Sequence, residues 1–168
     1  MLILGSCPTD EAIAKARRLA KNNQVLSVNS AFKHYDIKPD FQICQDLVLN
    51  AAERIITKEA LTSDYNLRGL GNKIEWFFNV QKPDLNKDSR NLCFYPYTGV
   101  AAIDYCFKKG YNKIFIAGFT FGRYHNYPNK IQIRDKGTNM LYVRNVKLLA
   151  DVIKIYSLQE NEIGLEVI

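Results

Sequence analysis

The sequence predicts an α/β fold class: an open, mostly parallel sheet with helices on both faces. Two observations carry this. Short β-branched runs alternate with stretches of helical periodicity, and the strand-to-helix junctions carry Gly, Asn and Thr. At 168 residues and 47% hydrophobic, the chain can bury one core but not two. Residues 1–168 therefore read as a single domain, with a short lid segment at 119–138 before the last helix.

Met1–Leu4 is the first apolar run, and Gly5-Ser6-Cys7-Pro8 turns the chain into a helix. Thr9 suits the cap of that helix and Asp10 and Glu11 its positive end. Ile13, Ala16, Leu19 and Ala20 form its apolar face, and Arg17, Arg18 and Lys21 suit the other end. Gln24–Val28 and Phe41–Cys44 read as the second and third strands, the latter leading through Gln45-Asp46 into a helix over 50–61. Residues 62–72 are turn-rich, Ile74–Phe78 is a strand with Trp76, Phe77 and Phe78 in the core, and 81–90 is a polar loop. Leu92–Tyr95 is a short strand. Thr98 is expected to cap a helix with Val100, Ile103 and Phe107 inward, Gly110 to end it, and Lys113–Ala117 to be a buried strand. A last helix spans 139–156 with Val143, Val146, Ala150 and Ile153 inward, and Ile163–Ile168 adds an edge strand. This alternation is Rossmann-like.

Four cysteines, Cys7, Cys44, Cys93 and Cys106, stand without C-x-x-C spacing or a His/Cys cluster, so neither a zinc site nor a disulfide framework is expected. No stretch approaches the length of a membrane span, and Met1–Leu4 is too short for a signal-peptide core; the expected location is cytoplasmic. The net charge of +6 is unevenly spread. Between Lys108 and Lys147 lie nine basic residues and one acid, a local +8 that leaves −2 for the remainder and would concentrate anionic ligands.

In an open parallel sheet, ligands bind beyond the carboxyl ends of the strands, where helix amino termini point N–H groups into the gap. The loops that qualify are Gly5–Thr9, Asn29–Ala31, Gln45-Asp46, Tyr97–Gly99 and Gly118–Tyr127. Gly5 permits close backbone approach, Ser6 and Thr9 offer hydroxyls, Asn29 offers a donor and an acceptor, and Thr98-Gly99 repeats the hydroxyl-plus-glycine pattern. That set suits a ribose and a phosphate, although Asp10 and Glu11 repel an anion at the first helix unless they point sideways.

Gly5-Ser6-Cys7-Pro8-Thr9, Val28-Asn29, Thr98-Gly99-Val100 and the run from Gly110 to Phe121 together resemble glycosyltransferase family 42, the bacterial sialyltransferases. The early G-x-x-P-[ST] and Asn motifs are also similar to those of hydroxymethylpterin-diphosphokinase-like proteins. The first resemblance implies metal-independent transfer of a sugar from a CMP-activated donor to an acceptor hydroxyl, on a glycan or another hydroxyl compound, with no cofactor. It implies a nucleotide held by Gly5, Ser6, Thr9, Asn29, Thr98 and Gly99, with Gln45, Asp46 and Thr120 nearby, and tyrosines that assist the leaving phosphate, for which Tyr124 and Tyr127 stand in the right region. The chain departs from the family pattern at Ser6, usually Asn, and at Cys7, usually Gly. It also lacks the family histidine before the last helix, where Gly137, Thr138 and Asn139 stand; His125 in the lid is the candidate substitute base, and His34 is the only other histidine.

Two other readings remain open: a non-catalytic nucleotide or small-molecule binding protein on the same fold, and a diphosphokinase-like enzyme that would need ATP, Mg²⁺ and converging carboxylates. No stable nucleic-acid complex is expected, and homo-oligomerisation stays open.

Overall fold

A computed structural model describes residues 1–44, 59–62, 73–121, 123–126, 130–133 and 135–168. Its main sheet has eight strands, all neighbouring pairs parallel: β1 (Leu2–Leu4), β2 (Val25–Val28), β3 (Phe41–Cys44), β4 (Glu59–Thr62), β5 (Lys73–Trp76), β8 (Lys113–Ala117), β11 (Lys154–Ser157) and β12 (Glu166–Val167). Their order is β12-β11-β8-β1-β2-β3-β4-β5. Two short strands, β6 (Phe78–Asn79) and β7 (Asn91–Leu92), pair with each other outside it, and β9 (Arg123–Asn126) with β10 (Lys130–Ile133) makes a separate antiparallel pair. Among the described residues the α-helices are α1 (Asp10–Ala20), α2 (Thr98–Lys108) and α3 (Lys136–Ala150).

The central strands are buried on both faces, and their side chains alternate between two cores. Leu2 and Leu4 of β1 and Ala117 of β8 join Ala12 and Ala16 of α1 in one core. Ile3, Ile114 and Ile116 face the other way, into the larger core with Val100, Ile103 and Phe107 of α2 and Val146 and Leu149 of α3. This is the open Rossmann-like arrangement, with helices on both faces.

Most expected elements hold, with corrections that have local causes. Thr9 caps α1 by accepting from Ala12 N at 3.2 Å. Thr98 does not cap α2: Tyr97 takes the N-cap position without a side-chain bond, and Thr98 is the first helical residue. The helix expected over 50–61 lies mostly outside the described residues, but 59–61 belong to strand β4. The last helix begins at Lys136, because the Asp135 carboxylate accepts from Thr138 N at 2.9 Å and starts it a turn early. It ends at Ala150, and 154–157 form β11 instead; Ile153 happens to continue the helical stripe of Val146 and Ala150 while Ile153 and Ile155 also satisfy the two-residue strand period. Of the aromatic run, Phe77 is buried but Phe78 is 54% exposed. The segment 119–138 divides into three: Phe119 and Phe121 are core, the β9–β10 pair follows, and α3 has begun by Lys136.

Gly110 ends α2 as expected, at φ +80°, with nothing within 4 Å of where a Cβ would stand. Gly110→Ala therefore tests backbone strain alone and is expected to cost about 1–2 kcal/mol in urea unfolding.

Candidate functional site

The strand order reverses between β1 and β8: the chain builds outward through β2, β3, β4 and β5, then returns to lay β8, β11 and β12 on the other side. Crevices form at such reversals because the loops leaving the two strands turn away to opposite faces. Gly5-Ser6-Cys7 leaves β1 towards α1, and Gly118-Phe119-Thr120 leaves β8.

These two loops touch through backbone. Gly5 N donates to Ala117 O at 2.7 Å, and Cys7 N donates to Gly118 O at 3.0 Å. A Cβ on Gly5 would meet Gly118 O at 2.5 Å, and one on Gly118, which has φ +71°, would meet Gly5 O at 2.5 Å and collide with the Tyr35 hydroxyl. Tyr35, fully buried at the end of the 3-10 turn (Ala31–His34) after β2, donates that hydroxyl to Gly5 O at 2.8 Å, and its burial holds the phenol well above its ordinary pKa.

The helix starts join the same edge. The Phe119 ring lies against both Gly5 and Gly99: a Cβ on either would stand 2.9 Å from it. Tyr142 of α3 reaches Gly99 as well, stacking on Phe121 at 5.1 Å and meeting Tyr97 edge-on at 5.3 Å. So both expected glycine loops come together around Phe119, and both glycines are required by packing.

A side chain not anticipated from the sequence binds the loops to each other. Gln159, two residues past β11 and 7% exposed, accepts through Oε1 from Gly118 N at 3.2 Å and Thr9 N at 3.3 Å. Its Nε2 donates to Cys7 O at 3.3 Å and Phe119 O at 3.4 Å. One amide thus spans the α1 loop and the β8 loop.

The other expected site residues are placed as follows. Ser6 is half-buried with Oγ 3.8 Å from Cys7 Sγ, and Thr120 is half-buried after Phe119. Thr9 is exposed, its hydroxyl committed to the α1 cap; Thr98 is 7% exposed. Asn29, at the end of β2, has φ +51° and is exposed, while its carbonyl accepts from Gln42 Nε2 at 3.0 Å and Ser27 Oγ at 3.3 Å. Tyr124 and His125 lie on β9, opposite Gln132 and Ile131. Gln45, Asp46 and Tyr127 lie outside the described residues.

Two observations bear on charge at the site. Glu11 turns to Lys15 at 2.7 Å, which lowers its pKa and draws its charge off the helix axis. The basic run does not form one patch: since the helices run against the strands, Lys108, Lys109, Lys113 and Lys147 come to the amino edge of the sheet, opposite the carboxyl ends of β1 and β8. Among the described residues no group of three or more His, Cys, Asp or Glu side chains is close enough to hold a metal ion, and no helix is long and apolar enough to cross a membrane. Comparison with family models, curated proteins and solved structures gave no match to this chain.

Proposed function

We propose that this chain binds a nucleotide in the crevice beyond β1 and β8, and that it is a small, metal-independent, sialyltransferase-like glycosyltransferase with a CMP-activated donor. The observation that carries the reading is the convergence of Gly5-Ser6, Gly118–Thr120 and Thr98-Gly99 at the point where strand order reverses. There the exposed Asn29 and half-buried Ser6 and Thr120 offer hydrogen bonds to ribose and phosphate. In the reaction the sugar–phosphate C–O bond breaks, CMP leaves with the electron pair, and the acceptor oxygen bonds to the sugar carbon as its proton passes to a base. His125 is assigned that base, and Tyr124 and Tyr127 the leaving phosphate.

A second reading, a binding protein without catalysis, draws on the start of α3. Gly137, Thr138 and Asn139 form its first turn in place of a family histidine, and the cap is the acidic Asp135.

Calorimetry of CMP, CDP, UMP and ATP, with and without Mg²⁺, tests both. Metal-independent, CMP-selective binding is expected, weakened about tenfold by Ser6→Ala or Asn29→Ala, the worth of one hydrogen bond. Binding without turnover of a CMP-sugar would favour the second reading; Mg²⁺-dependent ATP binding would favour a diphosphokinase-like enzyme; no nucleotide binding would sink the proposal.

A further inference from the structure

The chain between β5 and α2 leaves the main sheet, and side chains from two helices hold its outer loop. Lys108 of α2, its side chain 4% exposed, donates through Nζ to the carbonyls of Asp84 and Asn86 at 2.7 and 2.8 Å. Asn145 of α3 donates through Nδ2 to the carbonyls of Gln81 and Tyr95 at 3.1 and 3.0 Å. Beside Lys108, Asp104 is fully buried. Its Oδ2 accepts from Cys93 N at 2.9 Å, whereas Oδ1 has no hydrogen bond and stands 4.0 Å from Lys108 Nζ.

A carboxylate with one hydrogen bond and one long ion pair is poorly compensated for its lost water. The groups around it do little more. Lys108 on its own helix favours the charged form, and Asp84 across the loop opposes it. The Cys93 thiol, itself pushed up to about 12 chiefly by burial, takes a hydrogen bond from the uncharged Asn145 of α3, and Arg144 of α3 acts on that thiol. Burial is the largest influence on Asp104 and pushes its carboxyl up to about 6. Above the pair lies loop 81–90, in which Pro83 is the only buried residue, while Leu92 and Phe94 beyond it are fully buried. The loop can therefore lift while Leu92 and Phe94 stay buried, carrying Arg90 O away from Phe78 N at its base.

We propose that Asp104 and Lys108 form a pH-operated latch: with Asp104 protonated, loop 81–90 stays down on Lys108, and with Asp104 ionised the loop lifts so that water reaches Oδ1. The sign follows from linkage. The closed loop holds the proton more tightly than a hydrated carboxyl does, so closure is favoured at low pH. It weakens as pH rises from the ordinary aspartate range through about 6, and is constant above. The latch lies along α2, whose first turn carries Thr98 and Gly99.

The readout is amide exchange at Phe78, whose N–H donates to Arg90 O at 2.9 Å at the base of the loop. Corrected for intrinsic rates, its protection is expected to fall by up to about a hundredfold between pH 4 and pH 7, tenfold for each unit that closure raises the pKa. Asp104→Asn is expected to keep Phe78 protected at both pH values. Lys108→Met, which removes the anchor, is expected to leave it poorly protected at both. Phe78 protection that is flat with pH in the natural sequence, or pH dependence that survives Asp104→Asn, overturns the latch. Should Asp104→Asn fail to fold, carboxyl-carbon titration of Asp104 in the natural sequence decides instead: a midpoint above the ordinary aspartate range with Phe78 protection falling over the same pH range supports the latch, and an ordinary midpoint, or a raised one without loss of Phe78 protection, overturns it.

Discussion

Gly118→Ala is expected to cost about 3–6 kcal/mol, a large part of the 5–15 kcal/mol that holds a domain of this kind together. Three contributions add. The residue sits at φ +71°, which costs an L-residue about 1–2 kcal/mol. The new Cβ would stand 2.5 Å from Gly5 O and against the Tyr35 hydroxyl, so two buried strands must part, at about 1–3 kcal/mol for overpacking. Parting them strains the Tyr35-to-Gly5 hydrogen bond, about 1 kcal/mol more. Gly110→Ala shares the positive φ without the crowding, so the difference between the two variants in urea unfolding isolates the contact. Adding Tyr35→Phe to Gly118→Ala should restore less than half, because the collision with Gly5 O is with backbone and remains. If Gly118→Ala instead unfolds within about 1 kcal/mol of Gly110→Ala, β1 and β8 separate easily and the crevice is not held by this pair.

The elements read from sequence were those whose signals are local. Met1–Leu4 and Lys113–Ala117 are apolar runs next to glycines that must be glycines, and Thr9 with Asp10 and Glu11 marks a helix start by itself. Where two periods fit the same residues, the reading failed: Ile153 extends the stripe of α3 yet opens onto β11. The start of α3 was misplaced for a different reason. Gly137 near the helix start weakens the propensity signal, and only the Asp135 cap shows why the turn forms there.

Near the candidate site, the junctions at Gly5-Ser6 and Thr98-Gly99 are legible because a strand-to-helix turn announces itself in composition. What they do there was not legible. Gly99 looked like room for a ligand, and the Phe119 ring occupies that room; Thr98 looked available, and it is 7% exposed. The basic run from Lys108 to Lys147 looked like one patch, because a count along the chain ignores that α2 and α3 end at the opposite edge from the carboxyl ends of β1 and β8. Asp104 drew no notice, since a single acid in an apolar helix reads as an exposed position, yet α2 is buried nearly all round.

Gln159 was the least legible residue of all, being 150 positions from Thr9 and 41 from Gly118. Its removal is also expected to have the second-largest effect. Gln159→Leu keeps the bulk but leaves Gly118 N and Phe119 O, both on buried residues, without their partner. Thr9 is an exposed residue and Cys7 a half-buried one, and both bonds are only part-buried, so water replaces them at lower cost. Two buried groups at about 1–3 kcal/mol each, discounted because the bonds are long, set the loss at about 3 kcal/mol. Gln159→Glu separates the two halves of the amide. Its carboxylate still accepts from Gly118 and Thr9, but faces the oxygens of Cys7 and Phe119 with no proton to offer, so its pKa in the folded state should rise above the unfolded value. The variant should then be near natural stability while the carboxyl is protonated, and lose stability as pH rises from about 4 towards neutrality. Urea unfolding of both variants at pH 4.5 and 7.5, each compared with the natural sequence at the same pH, reads this out. Equal loss for Gln159→Glu at the two pH values would mean that the donors of the amide contribute nothing, and that the acceptor side alone joins the α1 loop to β8.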